Sequence, residues 1–202
     1  MVNYLTVRQK EKPLMNHIYP KEYWDEAAMT DPYSAILSKF NEKKFWDMKV
    51  KINRLNKDTI LLDLGCGIGR VAKCVSLFVK EYHGVDFSPK MINKAKKIFE
   101  DNKNVFFYTN NGIDLRGFED DKFDMVYVEL VFQHMQKEIT FNYFREVYRV
   151  LKKGGVFLAN NIPRIERYIG GLTKKELEDA IKPFKILNKK EDEFYYKCEL
   201  EK

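Results

Sequence analysis

The stretch Gly65-Cys66-Gly67-Ile68-Gly69 sets three glycines at alternate positions directly after the apolar run Ile60-Leu61-Leu62-Asp63-Leu64. Glycine accepts positive φ and brings backbone N–H groups up to a ligand with no Cβ in the way, so the spacing suits a loop that cradles a nucleotide-like group. A dinucleotide fingerprint G-x-G-x-x-G needs glycine at position 70, where this chain has Arg70. Ordinary NAD binding is therefore not what the loop predicts. Two acids flank it: Asp63, two residues before the first glycine, and Asp86, at the end of Tyr82-His83-Gly84-Val85-Asp86. His134, in Val131-Phe132-Gln133-His134-Met135, has an ordinary pKa of about 6.5 that suits a general base at neutral pH. Its competing reading is a structural histidine bonded to a loop carbonyl.

Positioning these groups requires strands and helices in alternation. Residues 60–64 predict a first strand, and Val71, Val75, Phe78 and Val79 recur at helical spacing behind the loop. Residues 82–87 predict a second strand, followed by Ser88 as N-cap and Pro89 at the first position of a helix whose buried stripe is Met91, Ala95 and Ile98. Further strands are expected at 105–108, 123–128 and 156–159. The last follows a helix bearing Phe144, Val147, Tyr148 and Leu151 that Lys152-Lys153-Gly154-Gly155 should stop. Thr173 caps a helix carrying Leu177, Ala180 and Ile181 that must end near Pro183. Residues 184–188 and 194–200 read as a closing antiparallel hairpin. Strands alternating with helices imply a parallel sheet.

Leu62-Asp63-Leu64-Gly65-Cys66-Gly67-Ile68-Gly69-Arg70 resembles motif I of the class I S-adenosylmethionine-dependent methyltransferases. The resemblance continues through Gly84-Val85-Asp86-Phe87-Ser88-Pro89-Lys90-Met91, Phe123-Asp124-Met125-Val126 and Tyr148-Arg149-Val150-Leu151-Lys152-Lys153-Gly154-Gly155, in the family's order, and covers about residues 58–160. It implies a Rossmann-like α/β fold: a seven-stranded, mostly parallel sheet with an antiparallel last strand and helices on both faces. It implies S-adenosylmethionine as cofactor, S-adenosylhomocysteine as product, and direct methyl transfer to an O, N, S or C nucleophile of a small-molecule acceptor. Asp63 would face the methionyl ammonium, and the backbone at Gly65, Cys66 and Gly67 would receive the methionyl portion. Asp86 would accept the ribose hydroxyls, and Phe87 would lie against the adenine. Asn111, where relatives often carry Asp, and the backbone of Gly112 and Ile113 would meet the adenine edge, with Val128 and Glu129 at the end of the fourth strand. Cys66 reads as a small buried filler and Arg70 as the partner of a nearby acid.

Residues 1–55 differ in kind, with Tyr19, Tyr23, Trp24, Tyr33, Phe40, Phe45 and Trp46 on short helical patterns broken at Asp31-Pro32. We expect an N-terminal helical lid, with Tyr19, Tyr23 and Trp24 over the ligand, or rings that only complete the core. The division expected is a single domain over 1–202, with 1–55 as lid or extension and 56–202 as core.

The composition narrows the function. With 202 residues, 45% hydrophobic and 33% charged, the chain can fill one core but not two enzymatic domains. No apolar run approaches the roughly 18 residues of a membrane span, and residues 1–12 lack a signal-peptide core. Three widely spaced cysteines suggest neither disulfides nor zinc, so no metal site and a reducing cytoplasm are expected. A net charge of +6 is spread along the chain, which permits RNA but does not favour it. Asn/Asp-Pro-Pro-aromatic, Pro-Cys and paired-glutamate signatures of nucleic-acid and arginine methylation are absent. The competing functions are an RNA or protein methyltransferase and a non-catalytic cofactor- or RNA-binding protein on the same scaffold. The acceptor and oligomeric state are not legible at this stage.

Overall fold

The computed structural model describes residues 21–29, 54–164 and 171–202; Tyr19 and most of the 1–55 segment lie outside the described residues. In chain order its elements are α1 (Lys21–Met29), β1 (Ile60–Leu64), α2 (Arg70–Val75), β2 (Glu81–Asp86), α3 (Pro89–Ile98), β3 (Val105–Thr109), β4 (Phe123–Glu129), α4 (Lys137–Val150), β5 (Leu151–Pro163), α5 (Lys174–Ile181), β6 (Lys185–Glu191) and β7 (Tyr195–Glu201). The described strands form one seven-stranded sheet in the order β3-β2-β1-β4-β5-β7-β6. Neighbours among β1 to β5 pair in parallel, and β7 runs antiparallel to both β5 and β6. This is the expected mostly parallel sheet with an antiparallel last strand. Among the described residues, no helix is long and apolar enough to cross a membrane.

Strand alternation divides the core between the two faces of the sheet. Leu62 and Leu64 of β1 and Val126 and Val128 of β4 pack with Phe144 and Val147 of α4 and Leu177 of α5. Leu61 of β1 and Met125 and Tyr127 of β4 pack on the opposite side, with Val71 of α2 and Ile92 and Ala95 of α3. Burial on both faces is why these strands read as nearly continuous apolar runs. The helix starts follow local chemistry. Ser88 Oγ accepts the Met91 N–H at 3.2 Å and Pro89 opens α3, while Thr173 and Glu176 form a reciprocal capping box on α5.

Three expectations need correction. The helix behind the glycine loop stops at Val75, and Ser76–Phe78 form a tighter 3₁₀ turn that redirects the chain into β2. Ile98 is exposed; the buried face of α3 is Met91, Ile92 and Ala95, continued by Phe99, because residues one turn on from Ile92 and Ala95 face the sheet. Leu151 opens β5 instead of closing the helix, and Lys152-Lys153-Gly154-Gly155 are part of that strand. A register break accommodates them, since Phe123 pairs with Leu151 but Met125 pairs with Val156.

β1 lies between β2 and β4, and the chain crosses from β3 to β4 over it. Strand order therefore reverses at β1, which opens a crevice at the carboxyl ends of β1 and β4. The glycine loop leaves β1 at that crevice.

Candidate functional site

Gly65, Gly67 and Gly69 all take positive φ, at 73°, 54° and 89°. The Gly65 and Cys66 N–H groups donate to the Val85 carbonyl at 2.8 and 3.1 Å, which ties the loop to β2. A Cβ on Gly65 would stand 2.4 Å from Val131 Cγ2, whereas the corresponding space at Gly67 is empty to 4 Å. Gly65 is thus needed for close packing and Gly67 for an open approach. Around the loop lies a cavity of about 390 Å³ lined by backbone and side chains from β1, α2, β2, β4, α4 and α1.

Asp86, at the end of β2, receives the Gly67 N–H on Oδ2 at 3.0 Å and the Ser88 N–H on Oδ1 at 2.9 Å. Asp86 lines the cavity, and a carboxylate has acceptor capacity beyond these hydrogen bonds. Burial raises its pKa against the opposing effect of those N–H donors. Asp63 is 2% exposed, and burial pushes its carboxyl up to about 7 despite a hydrogen bond donated by Tyr82 and the nearby Arg70 charge. Arg70 pairs with Glu129 at 2.9 Å, so the expectation that it would meet an acid holds. Burial also pushes the Cys66 thiol up, which keeps it protonated and suits a filler role.

On the open side α1 packs over the crevice. Ala28 sits in a small cluster with Ile68 and Met91, and Trp24 and Ala27 flank it. Asp25 Oδ1 accepts the Ser88 hydroxyl, so the residue that caps α3 also holds α1. The Trp24 ring meets the His134 imidazole edge-on at 4.9 Å, and Tyr23 meets Trp24 at 5.1 Å. Gln133 Nε2 lies 3.0 Å from His134 Nε2, and the Tyr195 hydroxyl donates to Gln133 Oε1 at 3.0 Å. With its oxygen facing Tyr195, the Gln133 amide donates to His134 Nε2, which places the imidazole proton on Nδ1. Desolvation drops His134 to about 4, so the ring is uncharged at neutral pH.

Of the residues expected from the sequence, Tyr23, Trp24, Asp63, Gly65, Cys66, Gly67, Asp86, Phe87, Gly112, Glu129 and His134 line this one cavity. Asn111, Ile113 and Val128 do not. Asn111 is exposed, and its Oδ1 accepts the Ile113 and Asp114 N–H groups at 2.8 and 3.0 Å, which commits the side chain to its own turn. Val128 points into the α4 side of the core by strand alternation. Asn110 reaches the cavity instead, donating to the Tyr143 hydroxyl at 3.0 Å and accepting the Gly112 N–H at 3.1 Å. Sequence reasoning missed Asn110, Gln133, Tyr127 and Tyr143. Tyr127 and Tyr143 carry no local signal, being core positions of a strand and a helix that also line the cavity.

Residues 62–159 match the family described as "Methyltransferase domain". The uncharacterized methyltransferase YcgJ of Bacillus subtilis is 29% identical over 145 residues, covering 67% of this chain and 55% of its own. The phosphoethanolamine N-methyltransferase of Plasmodium falciparum is 27% identical over 116 residues, covering 56% and 42%. The chain spans about half the length of the curated relatives it matches. The crystal structure of the Bacillus YcgJ protein superposes with a TM-score of 0.61 at 22% identity, over 74% of this chain and 72% of that one, and shares the fold. Sequence match and sheet order agree: residues 62–159 are similar to a methyltransferase domain, and the chain shares the Rossmann-like fold of the methyltransferase structure it superposes on.

Proposed function

We propose that this chain binds S-adenosylmethionine and directs its methyl group onto an O, N, S or C nucleophile of a small-molecule acceptor, leaving S-adenosylhomocysteine. The observation that carries this reading is the meeting of the open Gly67 backbone with Asp86, whose Oδ2 accepts the Gly67 N–H, in one cavity at the switch point of the sheet. The residues fit the cofactor. Asp86 has acceptor capacity left for two ribose hydroxyls, and Phe87 supplies a ring beside it for the adenine. Gly112 and Asn110, which line the cavity beyond Asp86, stand on the adenine side. Asp63 and Glu129 offer negative charge to an ammonium, and Arg70 offers positive charge to a carboxylate.

When bound, the cofactor supplies an electrophilic methyl on a sulfonium centre. The protein's part is alignment and exclusion of water, and orientation alone is worth roughly 7–11 kcal/mol in such a displacement. Tyr23 and Trp24 of α1 cover the crevice, and we assign residues 1–55 to a lid on a single domain whose core is 56–202. His134 is the candidate base. It lines the cavity, and burial keeps its ring uncharged, the form that can accept a proton. A cavity of about 390 Å³ falls within the roughly 300–1,000 Å³ of small-ligand clefts, which suits the cofactor. The free, buried thiols of Cys66, Cys74 and Cys198 suit a reducing cytoplasm.

Calorimetry with S-adenosylhomocysteine and S-adenosylmethionine tests the cofactor, and transfer of a labelled methyl to a panel of amines, phenols and thiols tests the reaction. Binding is expected for both ligands. Absence of binding to either, on folded protein, overturns the reading.

A further inference from the structure

The loop acid Asp63 has a dedicated partner. Tyr82, wholly buried on β2, donates its hydroxyl hydrogen to Asp63 Oδ2 across the β1–β2 pair at 2.5 Å. Leu61 is in register with Tyr82 and Asp63 with Gly84, so the tyrosine reaches its partner diagonally on one face of the sheet. A Cβ at Gly84 would collide with Phe107 at 2.8 Å and Cys66 Sγ at 2.9 Å, so those two groups fill the space beside Asp63 that a side chain would take. The phenol oxygen also takes a hydrogen bond from the Ala72 backbone in the first turn of α2. Accepting there, it has one hydrogen to give, and Asp63 receives it.

We propose that Tyr82 is the positioning residue of the cofactor site: it holds Asp63 in one orientation with Oδ2 satisfied, so that the carboxylate charge is available to the methionyl ammonium through Oδ1. This rests on the cofactor reading above. Asp63 lines the cavity, and Tyr82 is absent from its lining, so the tyrosine acts only through the acid. The other ionisable groups facing Asp63 are Arg70 from α2, Glu129 and Tyr127 from β4, Asp86 from β2 and Cys66 from the loop. Among them only Arg70 favours the carboxylate charge, and Arg70 is shared with Glu129. The Tyr82 hydrogen bond is therefore the main local support for ionising an acid that burial holds near neutrality.

The test is the pH dependence of S-adenosylhomocysteine affinity between about pH 5.5 and 8.5 in wild type and Tyr82→Phe, which keeps the ring and removes the hydroxyl. Wild-type affinity is expected to rise about tenfold per pH unit below a midpoint near 7 and then level off. In Tyr82→Phe the midpoint moves up by about one pH unit, because a hydrogen bond to an ionised carboxylate is lost. The variant then binds about tenfold more weakly at pH 6.5 and within about threefold of wild type at pH 8.5. Asp63→Asn should flatten the profile, and 5′-methylthioadenosine, which lacks the ammonium, should bind both proteins equally at every pH. A uniform loss with an unmoved midpoint, an equal loss for 5′-methylthioadenosine, or a sloping profile in Asp63→Asn overturns the proposal. Wild type binding neither ligand at any pH overturns the cofactor reading itself.

Discussion

Arg70 at the start of α2 and Glu129 at the end of β4 close a 2.9 Å ion pair inside the cavity, although 59 positions separate them in the chain. The Glu129 side chain is 6% exposed and that of Arg70 30%, so solvent screens the pair only partly. Burial works against the Arg70 charge, and Glu129 more than offsets it. A ligand carrying both an ammonium and a carboxylate matches the two partners charge for charge.

Arg70→Gln should therefore weaken S-adenosylhomocysteine by roughly tenfold or more while costing 5′-methylthioadenosine less than about threefold, since the latter lacks the amino-acid end. Titration of both ligands against the variant is the check. Equal losses would assign Arg70 to loop stability.

Asp86→Ala is expected to weaken cofactor binding about tenfold to a hundredfold. Hydrogen bonds to a charged group contribute about 1.5–3 kcal/mol, and each 1.4 kcal/mol is a factor of ten. The same change frees the Gly67 and Ser88 N–H groups, so a thermal melt of the ligand-free variant must accompany the titration. An unchanged dissociation constant would leave Asp86 a purely structural acid.

Asp63 makes stability depend on pH in a direction opposite to that of a salt-bridged acid. Its folded pKa of about 7 lies above the unfolded 3.8, so the folded state holds a proton that the unfolded state has lost. The contribution is complete below about pH 4 and is lost as pH rises through 7. The ligand-free melting temperature should fall between pH 5 and pH 8 more in wild type than in Asp63→Asn. S-adenosylhomocysteine, by bringing an ammonium, should raise it more at pH 8 than at pH 6. Identical slopes in the two proteins would remove Asp63 as the cause.

His134→Gln should lower turnover with little change in cofactor affinity, because the imidazole packs on Trp24 of α1 and on Gln133 and would act on the acceptor. With its pKa near 4, the histidine contributes no break in the rate profile between about pH 6 and 9. Equal turnover in the variant would leave His134 as a support for Trp24.

Deleting residues 1–30 removes α1 together with its Asp25 hydrogen bond to Ser88 and its Ala28 contact with Ile68 and Met91. The remaining core should stay folded by circular dichroism, bind cofactor more weakly and lose transfer activity. Full affinity and full activity in the truncated protein would defeat the lid, and general unfolding would show that α1 completes the core.

The sequence alone determined whatever depends on neighbours a few residues apart. Ser88 and Pro89 open α3 because a hydroxyl three positions from an N–H and a fixed φ suffice to start a helix. The glycine loop and the acid ending β2 were readable for the same reason, and so was the alternation that forces a parallel sheet. Only the tertiary structure decided which of two adjacent asparagines faces the cavity. Asn111 is captured by its own turn, and Asn110 is drawn toward Tyr143, a residue 33 positions away. It alone brought Tyr82 onto Asp63, Arg70 onto Glu129 and Trp24 onto His134, since these contacts form where separate elements pack and carry no periodicity of their own. The exposure of Ile98 and the early start of β5 belong with them. An apolar pattern marks a face of a helix or strand, but the packed neighbours decide how wide that face is and where the element ends.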